Sequence, residues 1–304
     1  MSPNNSILVT GATGNQGTSI IHSCLSSPHI QKVYALVRDP TSPKSLSLQS
    51  AGAILLQGTY DDSVSSLTKH FSLASTIFYL PLNSDSDIPR TKNIISAVLA
   101  SSPSVKQFIV STTIKTNECK SFPGYAESDD QYPLYTYWNT KYQIEQLVKS
   151  AGFQSYTILR PSHFLQNLLL PTRNFLFPSL NKEDELPIFK SCWNPTTKVA
   201  WIDVLDQGKI VAAAINDPVG FNKREINLAV ELLTPQELSD KIGKVWGKQV
   251  KAYQYTEEEQ KELNPTIVAS QKWANEVDHE GVTEVGKEFE LTSVDEFLRR
   301  QDGF

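Results

Sequence analysis

Ile7-Leu8-Val9-Thr10-Gly11-Ala12-Thr13-Gly14-Asn15-Gln16-Gly17 is the stretch on which the reading of this chain turns. Three apolar residues run into a loop with a glycine at every third position, and Gln16 opens a run with helical spacing. The segment reads as strand, tight turn, helix. Gly11 permits the turn, Gly14 lets the backbone approach a pyrophosphate, and Gly17 lets helix and strand pack closely. The helix N-terminus then faces the anion, with Thr13, Asn15 and Gln16 as further loop contacts.

The alternation continues downstream. Short β-branched or aromatic runs bounded by Gly, Pro, Ser or Asp predict strands at 7–10, 33–37, 53–56, 77–80, 108–111 and 156–159. Helical patterns lie between them at 16–26, 43–50, 61–71, 89–100 and 137–150. This order predicts an α/β fold, a doubly wound parallel Rossmann sheet with helices on both faces. After Pro161 the chain becomes rich in Phe, Leu, Asn and Pro without sustained periodicity, as binding loops and lids do. Residues 1–160 therefore read as a dinucleotide-binding Rossmann domain and 161–304 as a smaller α/β substrate lobe, with 200–216 returning to the main sheet. Further helices are expected at 234–247 and 293–301, and a charged turn or helix at 256–264.

Composition removes several classes. The 304 residues are 39% hydrophobic and 20% charged, which suits a globular chain and argues against global disorder. The best apolar runs, 51–56 and 210–215, are too short to cross a bilayer, and the polar N-terminus shows no signal peptide. Cys24, Cys119 and Cys192 are odd in number and far apart, so the expected setting is a reducing cytoplasm without a disulfide framework. A net charge of -5 argues against nucleic acid or an anionic membrane as the main partner. The five histidines show no metal-ligand spacing, so no metal is expected. No G-x-S-x-G elbow points to a hydrolase.

Two further signals carry chemistry. The strand at 33–37 ends in Arg38, with Lys44 six residues later, where an acidic residue would select NAD. A guanidinium there suits the 2′-phosphate of NADP. Tyr137 and Lys141 open the helix before the sixth strand, and i,i+4 spacing puts both on one face. An ammonium near a phenol favours the phenolate, as a proton-transfer group requires. Upstream, Ser111 or Thr113 could hold a substrate oxygen. Trp138, Trp193 and His163 are candidates to line a substrate pocket, or else to close a core.

The stretches ILVTGATGNQG (7–17), VYALVRDP (33–40), AGAILLQGTYDD (51–62), VKQFIVSTT (105–113), YWNTKYQIEQLV (137–148), SYTILRPSHFLQNLL (155–169) and KVAWIDVLDQG (198–208) occur in one order. Together they resemble the NmrA-like group of atypical short-chain dehydrogenases/reductases. The resemblance implies that Gly11–Gly17 bind the pyrophosphate and Arg38 the 2′-phosphate. It further implies that Thr59 and Tyr60 hold the adenine, although the usual acidic residue after Gly58 is Thr59 here. By the same resemblance Leu80, Pro81 and Leu82 pass along the cofactor and Lys92 contacts it. Lys141 holds the nicotinamide ribose, and Pro161, Phe164 and Asn167 flank the nicotinamide. Regulatory members of the group often carry His in place of Tyr137. The expected activity is an NADP(H)-dependent oxidoreductase reducing a carbonyl, quinone or related group of a medium-sized, partly aromatic metabolite. The alternative is an NADP(H)-binding redox sensor that engages a protein partner without turnover. Oligomeric state is not legible.

Overall fold

The computed structural model describes residues 5–126, 128 and 131–301. Twelve strands occur among them: β1 (Ser6–Val9), β2 (Lys32–Val37), β3 (Ile54–Gln57), β4 (Thr76–Tyr79), β5 (Gln107–Ser111), β6 (Ser155–Pro161), β7 (His163–Phe164), β8 (Ile188–Ser191), β9 (Val199–Ile202), β10 (Arg224–Leu228), β11 (Glu231–Leu233) and β12 (Lys251–Gln254). The α-helices are α1 (Asn15–Leu25), α2 (Pro43–Ser50), α3 (Val64–Phe71), α4 (Asp87–Ala100), α5 (Tyr135–Ser150), α6 (Thr172–Leu176), α7 (Val204–Asn216), α8 (Pro235–Trp246), α9 (Glu257–Lys261), α10 (Pro265–Glu276) and α11 (Val294–Arg299).

Seven strands form one sheet in the order β10-β6-β5-β4-β1-β2-β3, and every pairing from β3 across to β6 is parallel. Each residue of β1, β4 and β5 is buried, because helices cover both faces of a parallel sheet. The edge strand β3 is partly exposed. Ser42 and Ser63 cap α2 and α3 through their hydroxyls, which accept from Ser45 N and Ser66 N. On one face Leu8, Phe71, Ile77, Phe108, Val148 and Ile158 meet in a single core cluster. Each such side chain contributes roughly 1.5–3 kcal/mol relative to exposure.

Two compact units organise the chain. The first comprises Met1–Thr116, Thr140–Arg160 and Val204–Ile226; the second comprises Asn117–Asn139, Pro161–Asp203 and Asn227–Phe304. The sequence reading divides the chain once, at 160/161, whereas the two units exchange chain several times. It also returns 200–216 to the main sheet as strand and helix. In the structure β9 pairs with β7 and β11 in a separate three-stranded sheet, and the seventh main-sheet strand is β10. The helix does return: α7 packs on α1 in the first unit. Ser19 Oγ donates to Val204 O at 2.7 Å, and a Cβ on Gly208 would stand 2.3 Å from Ser23 Oγ.

A buried ion network anchors α5 within the first unit. Arg160 donates through Nε and Nη2 to the Glu145 carboxylate at 2.8 and 2.6 Å, and Thr112 Oγ1 donates to it at 2.7 Å. Glu225 also accepts from Arg160 and pairs with Lys149. The second unit holds the β11-β9-β7 sheet and a parallel β12-β8 pair. There α8 opens on a Thr234/Glu237 capping box and closes on Gly247 at φ 68°.

Candidate functional site

Strand order reverses between β1 and β4, and ligands of open α/β sheets bind outside the carboxyl ends of strands at such a point. The glycine loop leaves β1 there and Leu80–Leu82 leave β4. Gly11 takes φ 62°, and a Cβ on it would come 3.0 Å from Leu80 Cδ2. A Cβ on Gly17 would lie 2.3 Å from Gly11 O and 2.7 Å from Ala12 Cα, so this glycine sets the helix–strand approach. Gly14 differs. Its Cβ would meet only Gly11 O, at 3.4 Å, with open space beyond. Gly14 is also the N-cap of α1, with no side-chain cap and no acidic residue in the first turn. The first-turn amides therefore have no side-chain acceptor, as a phosphate cradle requires.

Arg38 is exposed after β2 and has no ion pair among the described residues. Its neighbour Asp39 is taken by Thr41, whose N and Oγ1 donate at 2.8 and 2.6 Å and hold the carboxyl below its usual range. Lys44 is exposed in the first turn of α2, and Lys92 is exposed on α4. The two expected adenine contacts have hydroxyls already in use. Thr59 Oγ1 donates to Asp62 at 2.8 Å, and the Tyr60 phenol, pushed up to about 12 by burial, donates to Leu80 O at 2.8 Å. These residues shape the loop, and only their remaining surfaces could meet a base. Pro81 is buried and Leu82 exposed.

Ser111 is buried, with its hydroxyl donating to Gln16 Oε1 at 2.8 Å and accepting from Gln207 Nε2 at 3.0 Å. Through these two bonds it joins β5, α1 and α7. Half-buried Thr113 has a hydroxyl without a partner among the described residues. Lys141 is 4% exposed, yet its ammonium has neither hydrogen bond nor ion pair among the described residues. Burial draws it down to about 8, against the opposing pull of Asp87. The stem of Lys141 is buried, and an ammonium with no protein acceptor among the described residues fits a site that a ligand's hydroxyls complete. One turn earlier on α5, Tyr137 is 36% exposed.

In the second unit Pro161 is buried, and Phe164 and Asn167 are half-buried. The three substrate candidates each pack against other aromatic rings. His163 lies against Trp193 and Trp201, with centroids 5.7 and 5.5 Å away. Burial, aided by His279, lowers it to about 4 despite a hydrogen bond to the Ala200 backbone, so it is neutral at pH 7. Trp193 also meets Phe177 and Phe189. Trp138 packs between Phe122 and Trp273 at 5.0 and 4.8 Å. Gln207 and Asp87 escaped the sequence reading. Gln207 left no local signal, whereas Asp87 stands in an acid-and-serine run just before a helix.

The sequence profile of the NmrA-like family matches residues 3–298. The chain is 28% identical over 261 residues to the NmrA-like family domain-containing oxidoreductase ptmS of Penicillium ochrochloron, covering 81% of this chain and 74% of that protein. The crystal structure of NmrA, a negative transcriptional regulator, in complex with NADP superposes with a TM-score of 0.76 at 18% identity, covering 98% and 95% of the two chains. An NADPH-dependent quinone oxidoreductase of Escherichia coli, complexed with NADPH, superposes at 0.71 with 21% identity over 96% and 98%.

Proposed function

The chain belongs to the NmrA-like family, and we propose that it is an NADP(H)-dependent oxidoreductase reducing a carbonyl, quinone or related group of a medium-sized, partly aromatic metabolite. The observation that carries this reading is the glycine loop, with an uncapped helix N-terminus behind it and open space where a Gly14 side chain would stand. When bound, NADPH supplies the hydride.

The residues of the chain divide the remaining work. First-turn amides of α1 donate to the pyrophosphate oxygens without a competing carboxylate. Arg38, unpaired and exposed, takes the 2′-phosphate, with Lys44 adding charge nearby. Lys141, still mostly protonated at pH 7, grips the ribose hydroxyls and favours ionisation of the phenol one helical turn away. Tyr137 gives its proton to the reduced oxygen, and the free Thr113 hydroxyl orients that oxygen beforehand.

The test is NADPH oxidation monitored with a panel of ketones, quinones and phenolic carbonyl compounds. Turnover of at least one class is expected. Tight NADPH binding without oxidation across the panel would replace this reading with that of a redox-sensing regulator.

A further inference from the structure

Three side chains from separate elements of the first unit meet in one line of hydrogen bonds. Gln207, on α7, donates through Nε2 to Ser111 Oγ at 3.0 Å. Ser111, at the end of β5, donates in turn to Gln16 Oε1 at 2.8 Å. Gln16 stands in the first turn of α1, directly behind the glycine loop. Gln207 and Ser111 are buried and Gln16 is half-buried. The Nε2 group of Gln16 has no partner among the described residues and is not enclosed by them.

Gln207 sets the direction of this relay. It presents a nitrogen to Ser111, so the hydroxyl can only accept on that side and its one proton is left for Gln16. Gln16 answers with its oxygen, which leaves its NH2 group as the end open to a ligand. The other half of the Gln207 amide gains nothing from its place. Its Oε1 is buried without a partner among the described residues, a cost that an apolar side chain would avoid. What glutamine adds at 207 is therefore its donor. Nor can α7 withdraw that donor, because Ser19 Oγ holds Val204 O at 2.7 Å and a Cβ on Gly208 would stand 2.9 Å from Ser19 O.

The sheet order fixes which half of a dinucleotide Gln16 faces. Arg38 follows β2 on one side of β1, and Ser111 ends β5 on the other side, beyond β4. A dinucleotide with its 2′-phosphate at Arg38 runs across the carboxyl ends of the strands toward β4 and β5. The Gln16 amide, tied to β5, then stands on the nicotinamide side of the pyrophosphate.

We propose that Gln207 is a positioning residue of the nucleotide site: through Ser111 it holds Gln16 with its amide nitrogen outward, as a donor to the phosphate on the nicotinamide side. This rests on the reading that the glycine loop holds the pyrophosphate of NADP(H). With the Gln16 amide reversed, a carbonyl would face the phosphate and repel it.

The primary test needs no nucleotide. Glutamine side chains of the full chain are labelled with nitrogen-15, the Gln16 amide signal is assigned by its loss in Gln16→Met, and its mobility is measured by NMR relaxation. Gln207→Met keeps the length of the buried side chain while removing the donor and the orphan carbonyl. The Gln16 amide should become mobile on the ps–ns timescale, with the thermal midpoint no lower than that of the wild type. Ser111→Ala breaks the relay at its middle link and serves as the second variant should the first not fold. An amide as rigid as in the wild type, in a folded variant, overturns the proposal. Calorimetry provides the second arm. Gln207→Met should bind NADPH about fivefold more weakly, the cost of re-ordering a freed side chain. Adenosine 2′,5′-bisphosphate, which lacks the nicotinamide half, should bind it as well as it binds the wild type. In a Gln16→Met background the substitution at 207 should have no further effect on NADPH affinity. Equal weakening of both ligands, or an effect that persists without Gln16, would show a distorted fold and overturn the positioning role. A freed amide with unchanged NADPH affinity supports the relay and overturns its part in binding. A wild type that binds neither ligand overturns the cofactor reading, and the relay then stands or falls on the relaxation measurement.

Discussion

Gly14 and Gly17 stand three residues apart in one motif, yet they are glycines for different reasons. A side chain at 17 meets backbone at 2.3 Å, whereas one at 14 meets open space. Gly17→Val should therefore lose more than about 3 kcal/mol and approach unfolding. Gly14→Val should melt near the wild-type temperature while losing NADPH affinity by on the order of a hundredfold. Thermal melts and fluorescence titrations on the two variants check both expectations. At Arg38 the expected preference is at least about tenfold for NADPH over NADH, about 1.4 kcal/mol. Arg38→Asp should abolish or reverse it, since a carboxylate repels a phosphate and accepts from a ribose hydroxyl. Equal calorimetric affinities for the two nucleotides in the wild type would remove the assignment. These residues are legible in the sequence because their roles are local: a loop spacing, a strand end. Ser111 is not, because Gln207, which engages its hydroxyl, lies 96 residues away. The packing of Trp138 against Trp273 and of His163 against Trp201 is illegible for the same reason, since those partners come from distant segments.

Elements announce themselves where burial is one-sided or complete. The six strands expected in the first 160 residues all form, as does each helix between them, with boundaries shifted by a few residues. The termini of α8 and α11 are legible too, because a capping box is a four-residue pattern. Thr234→Ala should remove the hydroxyl that accepts from Glu237 N, leaving only the bond from Thr234 N to the Glu237 carboxylate, and cost about 1 kcal/mol. A lowered urea midpoint with unchanged NADPH affinity is the expected signature, because α8 belongs to the second unit. Other elements gave little signal. Strand β12 is mostly exposed and lacks the alternation of a half-buried strand, and α10 buries only three residues. The Arg160–Glu145 network is invisible in sequence because fifteen residues and a strand boundary separate its partners.

At the scale of the molecule, the chain's repeated passage between two units escaped a reading that cuts once, since α7 is recruited to α1 by close contacts at Ser19 and Gly208. Lys141 shows what such assembly costs. Its folded value of about 8 lies below the 10.5 of a free lysine, so between those pH values the unfolded chain binds the extra proton. This group's contribution to stability therefore rises with pH across that window, and its full penalty applies below pH 8. Lys141→Met should accordingly stabilise the nucleotide-free protein by on the order of 2–3 kcal/mol at pH 7, with the gain fading toward pH 10.5. The same variant should lose NADPH affinity and turnover together. Tyr137→Phe makes the contrast, because it removes a proton without touching the ammonium. At 100 times its Kd, NADPH should stabilise this variant and the wild type alike, by about 2.7 kcal/mol. Turnover of Tyr137→Phe should nevertheless fall by about 10²–10⁴. Thermal melts with and without nucleotide, paired with rates on the same samples, separate the two roles. A Tyr137→Phe rate equal to wild type would withdraw the proton from Tyr137, and a Lys141→Met protein no more stable than wild type would show that the lysine's charge is already satisfied before nucleotide arrives.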